Sequence, residues 1–312
     1  MTSAWQEAVV VQAGMGGGIT TAALAAAVSA AGGLGTIGLV APAPMAAELA
    51  AARRLTGRPV AANVLLPFAR DGHWRAAADA DVVVTFWGRP RRRTRRPWLH
   101  QCGSVEEVLE AHRAGADGAI VQGVEAGGHV RGSMPALELL AAARARVPAS
   151  FTLWVAGGIA EAADVRRALD AGAAAAVAGT RFVATDESGA HPGYKARLIA
   201  DTETVLTRLF GTGWHAPHRV LVNDAVRRWR RAEPLLGPLQ AATAPLLGRA
   251  PARLQGALLR AQHPAVPLFS PGPPTAGEPD RLLEATALYA GQTVARIHDV
   301  RPAGDVTRDL IP

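Results

Sequence analysis

One histidine stands in a setting that suits proton chemistry. Residues 122–132 read QGVEAGGHVRG, so His129 lies between glycines and polar side chains and not on an apolar face. An imidazole titrates near neutrality, which makes it a candidate general base. Glu125, four residues earlier, suits hydrogen bonding to backbone and shaping of the loop. Two further pairs, Gly157-Gly158 and Gly179-Thr180, each close an apolar run. Backbone N–H groups at such turns can approach a phosphate closely because glycine carries no Cβ. The remaining patterns exclude other chemistries. There is no H-E-x-x-H or paired metal-ligand spacing, no G-x-S-x-G elbow, no P-loop, and no G-x-G-x-x-G with an acidic residue at the right offset. His100 lies near a strand end and is a second candidate for a pocket. Cys102 just beyond it has no base nearby and reads as packing.

These residues need elements to hold them. Continuous apolar runs at 9–12, 36–39, 60–64, 81–86, 98–101, 119–122, 153–156 and 174–178 read as eight strands buried on both faces. Helical stretches follow most of them. Thr20 or Thr21 would cap the first, and Ser104 with Glu107 resembles a capping box on another. Eight strand–helix units predict a (β/α)8 TIM barrel, with an open doubly wound sheet as the runner-up. In a barrel, Asn63, Gln122, Gly157 and Gly179 would share one mouth. The two glycine pairs would follow strands seven and eight, where this fold often grips phosphate. After residue 188 the pattern changes. Segments 195–201, 203–210 and 224–231 look helical, 234–274 is dense in proline and glycine with short helical pieces, and 279–300 returns to helix broken near Gly291. The expected division is a barrel of residues 1–200 and 275–312, with a helical lobe of 201–274 inserted after strand eight.

The chain has 312 residues, 49% of them hydrophobic, which is ample for one large core. No apolar run reaches the ~20 residues that span a bilayer, and the N-terminus has no basic-then-apolar leader. One cysteine fits a reducing cytoplasm. The net charge is +7, but the arginines are dispersed apart from 89–96 and 227–231, and aromatics are few. A solvated basic loop attracting an anionic substrate or cofactor explains this better than nucleic-acid binding.

Seven segments carry a family resemblance: 12–15 (QAGM), 27–35 (AVSAAGGLG), 60–63 (VAAN), 122–129 (QGVEAGGH), 156–159 (AGGI), 168–188 with its GTRFVATDES, and 289–292 (YAGQ). In this order they resemble the nitronate monooxygenases. The resemblance implies an FMN-bound TIM barrel with an inserted helical domain. It implies that Gly14, Met15, Asn63 and Gln122 line the flavin. Gly128, Gly157, Gly158, Gly179 and Thr180 would hold its phosphate or its edge, and His129 matches the catalytic histidine. The implied reaction is oxidation of an alkyl nitronate by FMN and dioxygen to a carbonyl compound and nitrite. The same fold family includes FMN-dependent enoyl-acyl-carrier-protein reductases that use NADH or NADPH. That gives a second reading, beside a divergent flavoprotein of secondary metabolism. No membrane or nucleic-acid partner is implied.

One stretch departs from the pattern. Between Phe86 and Trp98 the family has a helix, whereas this chain has only WGRPRRRTRRP. A parallel crossover normally needs about a dozen residues, usually a helix. The barrel is therefore expected to lack a helix between strands four and five.

Overall fold

The computed structural model describes residues 4–247 and 251–312. Eight parallel strands form the central sheet: β1 (Val10–Gln12), β2 (Gly35–Ile37), β3 (Val60–Leu65), β4 (Val82–Phe86), β5 (Trp98–Cys102), β6 (Gly118–Gln122), β8 (Thr152–Ala156) and β9 (Ala175–Ala178). A short β7 (Gly128–His129) stands apart from them. The ladder runs β1-β9-β8-β6-β5-β4-β3-β2. Leu34, just before β2, closes the ring. Its N–H donates to Val10 O at 2.9 Å, and Gln12 N–H donates to Leu34 O at 3.0 Å.

Each strand is buried on both faces, which explains the unbroken apolar runs. Val11, Leu34, Ala61, Val84, Leu99, Ile120, Trp154 and Val177 fill the barrel interior. Trp5 plugs one end, edge-on to Trp154 with ring centroids 6.0 Å apart. Alternate residues pack outward against α1 (Ala22–Ala30), α2 (Pro42–Leu55), α3 (Asp71–Ala77), α4 (Val105–Arg113), α5 (Ala136–Arg144) and α6 (Ala162–Asp170). Thr21 caps α1 by accepting from Leu24 N–H at 3.0 Å, and Ser104 caps α4 by accepting from Glu107 N–H at 3.3 Å. Glu107 turns its carboxylate to Gly103 N–H instead of closing a box on Ser104.

The crossover from β4 to β5 has no helix, as the sequence predicts. Residues 87–97 cover it, and the strands still pair in parallel from Val83↔Trp98 to Phe86↔Gln101. Arginines take over the missing contacts. Arg92 donates to Gly115 O at 3.0 and 2.7 Å and to the Asp117 carboxylate at 2.7 Å. Arg96 donates to Ala78 O at 2.8 Å, and Arg93 lies 5.4 Å from the Trp74 ring centre. Three of these bonds therefore end on two carbonyls where α3 and α4 finish, groups the helices leave unpaired.

After β9 come α7 (Thr180–Val183) and α8 (Pro192–Ala200), then β10 (Thr204–Thr207), β11 (His218–Leu221), α9 (Asp224–Trp229), α10 (Glu233–Leu247) and α11 (Ala252–Arg260). Three differences from expectation stand out here. Segment 203–210 holds a strand, not a helix. It pairs antiparallel with β11, which in turn pairs with β7 in a second sheet. Segment 234–274 contains a 15-residue helix, α10, where short pieces were expected. Segment 279–300 forms only two 3-10 turns, Asp280–Glu284 and Gln292–Arg296. The helix that returns to the barrel is α12 (Ala303–Leu310), packed on α1 and α6.

Candidate active site

The C-terminal ends of the strands open into a cavity of about 1100 Å³. All ten residues singled out by resemblance line it: Gly14, Met15, Asn63, Gln122, Gly128, His129, Gly157, Gly158, Gly179 and Thr180. Gly14 has to be glycine, because a Cβ there would collide with the Asn63 side chain. Asn63 is 5% exposed, and its amide makes no hydrogen bond among the described residues. Gly157 and Gly158 have φ of +107° and +79°, a left-handed turn that bares the backbone toward the cavity. The N–H groups of Gly158, Gly179 and Thr180 donate to nothing among the described residues. Unpaired donors gathered on one rim are the chemistry an anionic group requires. Thr180 Oγ1 is otherwise engaged, accepting from Gly291 N–H at 2.9 Å.

His129 sits on β7, held by strand pairing to β11 with His218 as its opposite residue. Gln122 carries the other side of the loop. Its Nε2 donates to His129 O at 3.0 Å, and its Oε1 accepts from Arg131 N–H at 2.9 Å. The amide is thus committed to the loop that bears His129, while the residue still lines the cavity. Glu125 has the shaping role expected of it, accepting from Ala136 N–H at the start of α5. Arg219 donates to Val124 O at 2.8 Å and holds the loop from the other side.

Rings surround the imidazole. Trp214 stacks on it with centroids 3.8 Å apart and planes 25° apart. His218 and Tyr289 each lie 5.4 Å away. Neither ring nitrogen of His129 has a hydrogen-bond partner among the described residues, and Nε2 is sealed from solvent. Burial, with a smaller push from His218, holds the His129 pKa well below the ordinary 6.5. His218 itself is pushed down to about 4 by burial. It donates from Nδ1 to Ala216 O and accepts at Nε2 from Phe210 N–H, so its neutral form is fully bonded. His129 is therefore a neutral, unengaged imidazole at physiological pH.

His100 is not part of this site. Leu99 faces the barrel interior and Gln101 the cavity, so His100 points outward between strand and helix, with Nδ1 2.8 Å from Thr85 Oγ1. Cys102 is buried packing, its thiol pushed up by desolvation. The sequence reading passed over Trp214, Phe68 and Thr212, all on the cavity wall. The signal available was the run 211–215, GTGWH, in which glycines precede an aromatic as they precede His129. Among the described residues no group of three or more His, Cys, Asp or Glu side chains forms a metal cluster, and no helix is long and apolar enough to cross a membrane.

Comparison with known proteins places this arrangement. The nitronate monooxygenase family profile matches residues 1–87 and 98–312, leaving out the arginine-rich crossover. A nitronate monooxygenase of Metarhizium robertsii is 31% identical over 264 residues, covering 69% of this chain and 72% of that protein. The nitroalkane oxidase of Streptomyces ansochromogenes superposes with a TM-score of 0.77 at 30% identity, over 97% of this chain and 94% of the other. FabK from Thermotoga maritima superposes with a TM-score of 0.76 at 28% identity, over 97% and 91%. The chain belongs to the nitronate monooxygenase family and is a flavin-dependent oxidoreductase.

Proposed function

We propose that the chain oxidises an alkyl nitronate with dioxygen, giving a carbonyl compound and nitrite, with FMN as its flavin. The observation that carries this reading is the unpartnered, neutral imidazole of His129 on the same cavity as the free N–H groups of Gly158, Gly179 and Thr180. Those donors suit the phosphate of FMN, and Gly14, Met15 and Asn63 suit its ring system. Gly128 and Gly157 extend the same wall. When bound, the flavin supplies the electron chemistry with dioxygen. His129 orients the substrate and handles a proton at an unpartnered ring nitrogen. Gln122 holds the peptide of His129 in place, and Trp214 keeps water off the ring.

A second reading, NAD(P)H-dependent reduction of an enoyl thioester, is favoured by the likeness to FabK and by the apolar arm of the cavity around Leu258, Leu259, Pro271 and Pro273. The two separate under anaerobic mixing of the yellow holoenzyme. Bleaching of the flavin by propionate 3-nitronate alone supports the first, and rapid bleaching by NADPH alone supports the second. His129→Asn is expected to lower kcat/KM for the nitronate by at least about 100-fold, the usual share of general acid–base catalysis. A protein that cannot be reconstituted with FMN sinks both.

A further inference from the structure

Trp214 lies on residues 208–217, the connection between β10 and β11. Its stem is fixed to the site by register, because His218 at the start of β11 pairs with His129. The indole covers one face of the imidazole at 3.8 Å. Phe68, from the loop after β3, meets it edge-on at 5.2 Å, and Trp87, at the start of the arginine-rich crossover, does so at 5.4 Å. Three loops thus send one aromatic side chain each to a single spot. Trp87 takes φ of +60° to reach it, a conformation bulky residues seldom adopt. Phe68 and Trp214 both line the cavity, so this aromatic corner forms its wall beside His129.

Backbone hydrogen bonds hold the Trp214 loop, from Trp214 N–H to Gly211 O at 3.0 Å and from Ala216 N–H to Trp214 O at 2.8 Å, while the side chains around it leave polar atoms unpaired. His129 Nε2, Thr212 Oγ1, Trp87 Nε1 and His215 Nδ1 are all sealed from solvent with no hydrogen bond. Thr212 lines the cavity and is 8% exposed. Of these, His129 and Thr212 line the cavity, and their unpaired atoms leave bonding capacity that a substrate's polar head can satisfy. The face of His129 that the indole covers is already occupied by a flat ring, so a substrate's aryl ring cannot stack on that face while Trp214 is there.

Resting on the nitronate reading above, we propose that Trp214 is the specificity-determining residue of this site: it admits nitronates with slender alkyl substituents to His129 and excludes those bearing an aryl ring on the reacting carbon. The wall is a removable one, since the indole makes no hydrogen bond.

The test compares Trp214→Ala and Trp214→Phe holoenzymes with the parent on two nitronates, those of 1-nitrobutane and phenylnitromethane. The parent is expected to prefer the alkyl substrate. Trp214→Ala should raise the aryl-to-alkyl ratio of kcat/KM by at least about tenfold, chiefly through KM, while Trp214→Phe stays within about threefold of the parent. An unchanged ratio in Trp214→Ala overturns the proposal. Equilibrium binding of two inert carboxylates, butanoate and phenylacetate, read from the flavin absorbance, provides a measure that needs no turnover. Phenylacetate should bind Trp214→Ala at least about tenfold more tightly than it binds the parent, with butanoate little changed; equal effects on both overturn the proposal. If the parent oxidises neither nitronate, the proposed reaction falls and these titrations still judge Trp214. Should Trp214→Ala fail to fold, Trp214→Leu takes its place, with the same two outcomes.

Discussion

Gln122 illustrates how a residue can line a site and act through the chain beside it. The resemblance placed it against the flavin, and it does reach the cavity. Yet both functions of its amide are spent on the His129 peptide and on Arg131 N–H. Gln122→Leu would keep the volume and leave a buried carbonyl and an N–H unpaired. An expected cost of about 2 kcal/mol in urea unfolding follows, together with a fall in kcat larger than the change in KM, because the imidazole loses its fixed approach. Unchanged kcat with intact folding would show that the amide's bonds do not position His129. That His129 would line the cavity was legible from its glycine-rich loop alone. That His100 would not was illegible, because a strand with apolar residues on both faces does not reveal which face turns inward. Trp214 was invisible for another reason: it reaches His129 from 85 positions away through a strand pairing.

The eight barrel strands and six helices around them were readable because each is a local pattern with its own stop signal. Two of the elements that failed make their hydrogen bonds far away. Segment 203–210 has Val205, Leu206, Leu209 and Phe210 at helical spacing, but its backbone pairs with β11 and extends the sheet that carries His129. Segment 279–300 looked helical, yet Gly291 N–H goes to Thr180 and Gln292 N–H to Glu125 O. Those donors serve the site's loops and are not free for a helix. The arginine-rich crossover was legible as a missing helix, but not as a bonded replacement for one. Arg92 closes two acceptors, whereas neighbouring Arg91 makes no hydrogen bond or ion pair among the described residues. Arg92→Ala is therefore expected to cost about 1 kcal/mol, given its partial exposure, and Arg91→Ala less than about 0.5 kcal/mol. Equal urea midpoints for the two variants would mean that the loop acts only as a solvated run of charge.

Across the described residues, the fold favours the neutral forms of four histidines. Desolvation lowers His73, His100, His129 and His218, with His100 and His218 both at about 4. Their bonding explains why a proton is unwelcome. Thr85 Oγ1 accepts from Trp98 Nε1 and donates to His100 Nδ1, and His218 Nε2 accepts from Phe210 N–H; protonation breaks both arrangements. In the unfolded chain these rings titrate near 6.5. Above that pH both states are neutral, so the histidines leave stability unchanged. Below it the unfolded chain takes up protons that the fold refuses, and stability is lost as pH falls from 6.5 toward 4. His100 and His218 each account for roughly 3 kcal/mol over the full window, a large share of a typical net stability of about 5–15 kcal/mol. Urea midpoints at constant ionic strength should therefore be level between pH 7.5 and 6.5 and drop steeply from 6 to 4.5. His218→Asn should flatten that drop by its share while lowering stability at pH 7.5. A midpoint that holds steady down to pH 4.5 would mean that these rings accept protons within the folded barrel. His129 would then be charged under mild acid, and its role as a neutral imidazole would fail with it.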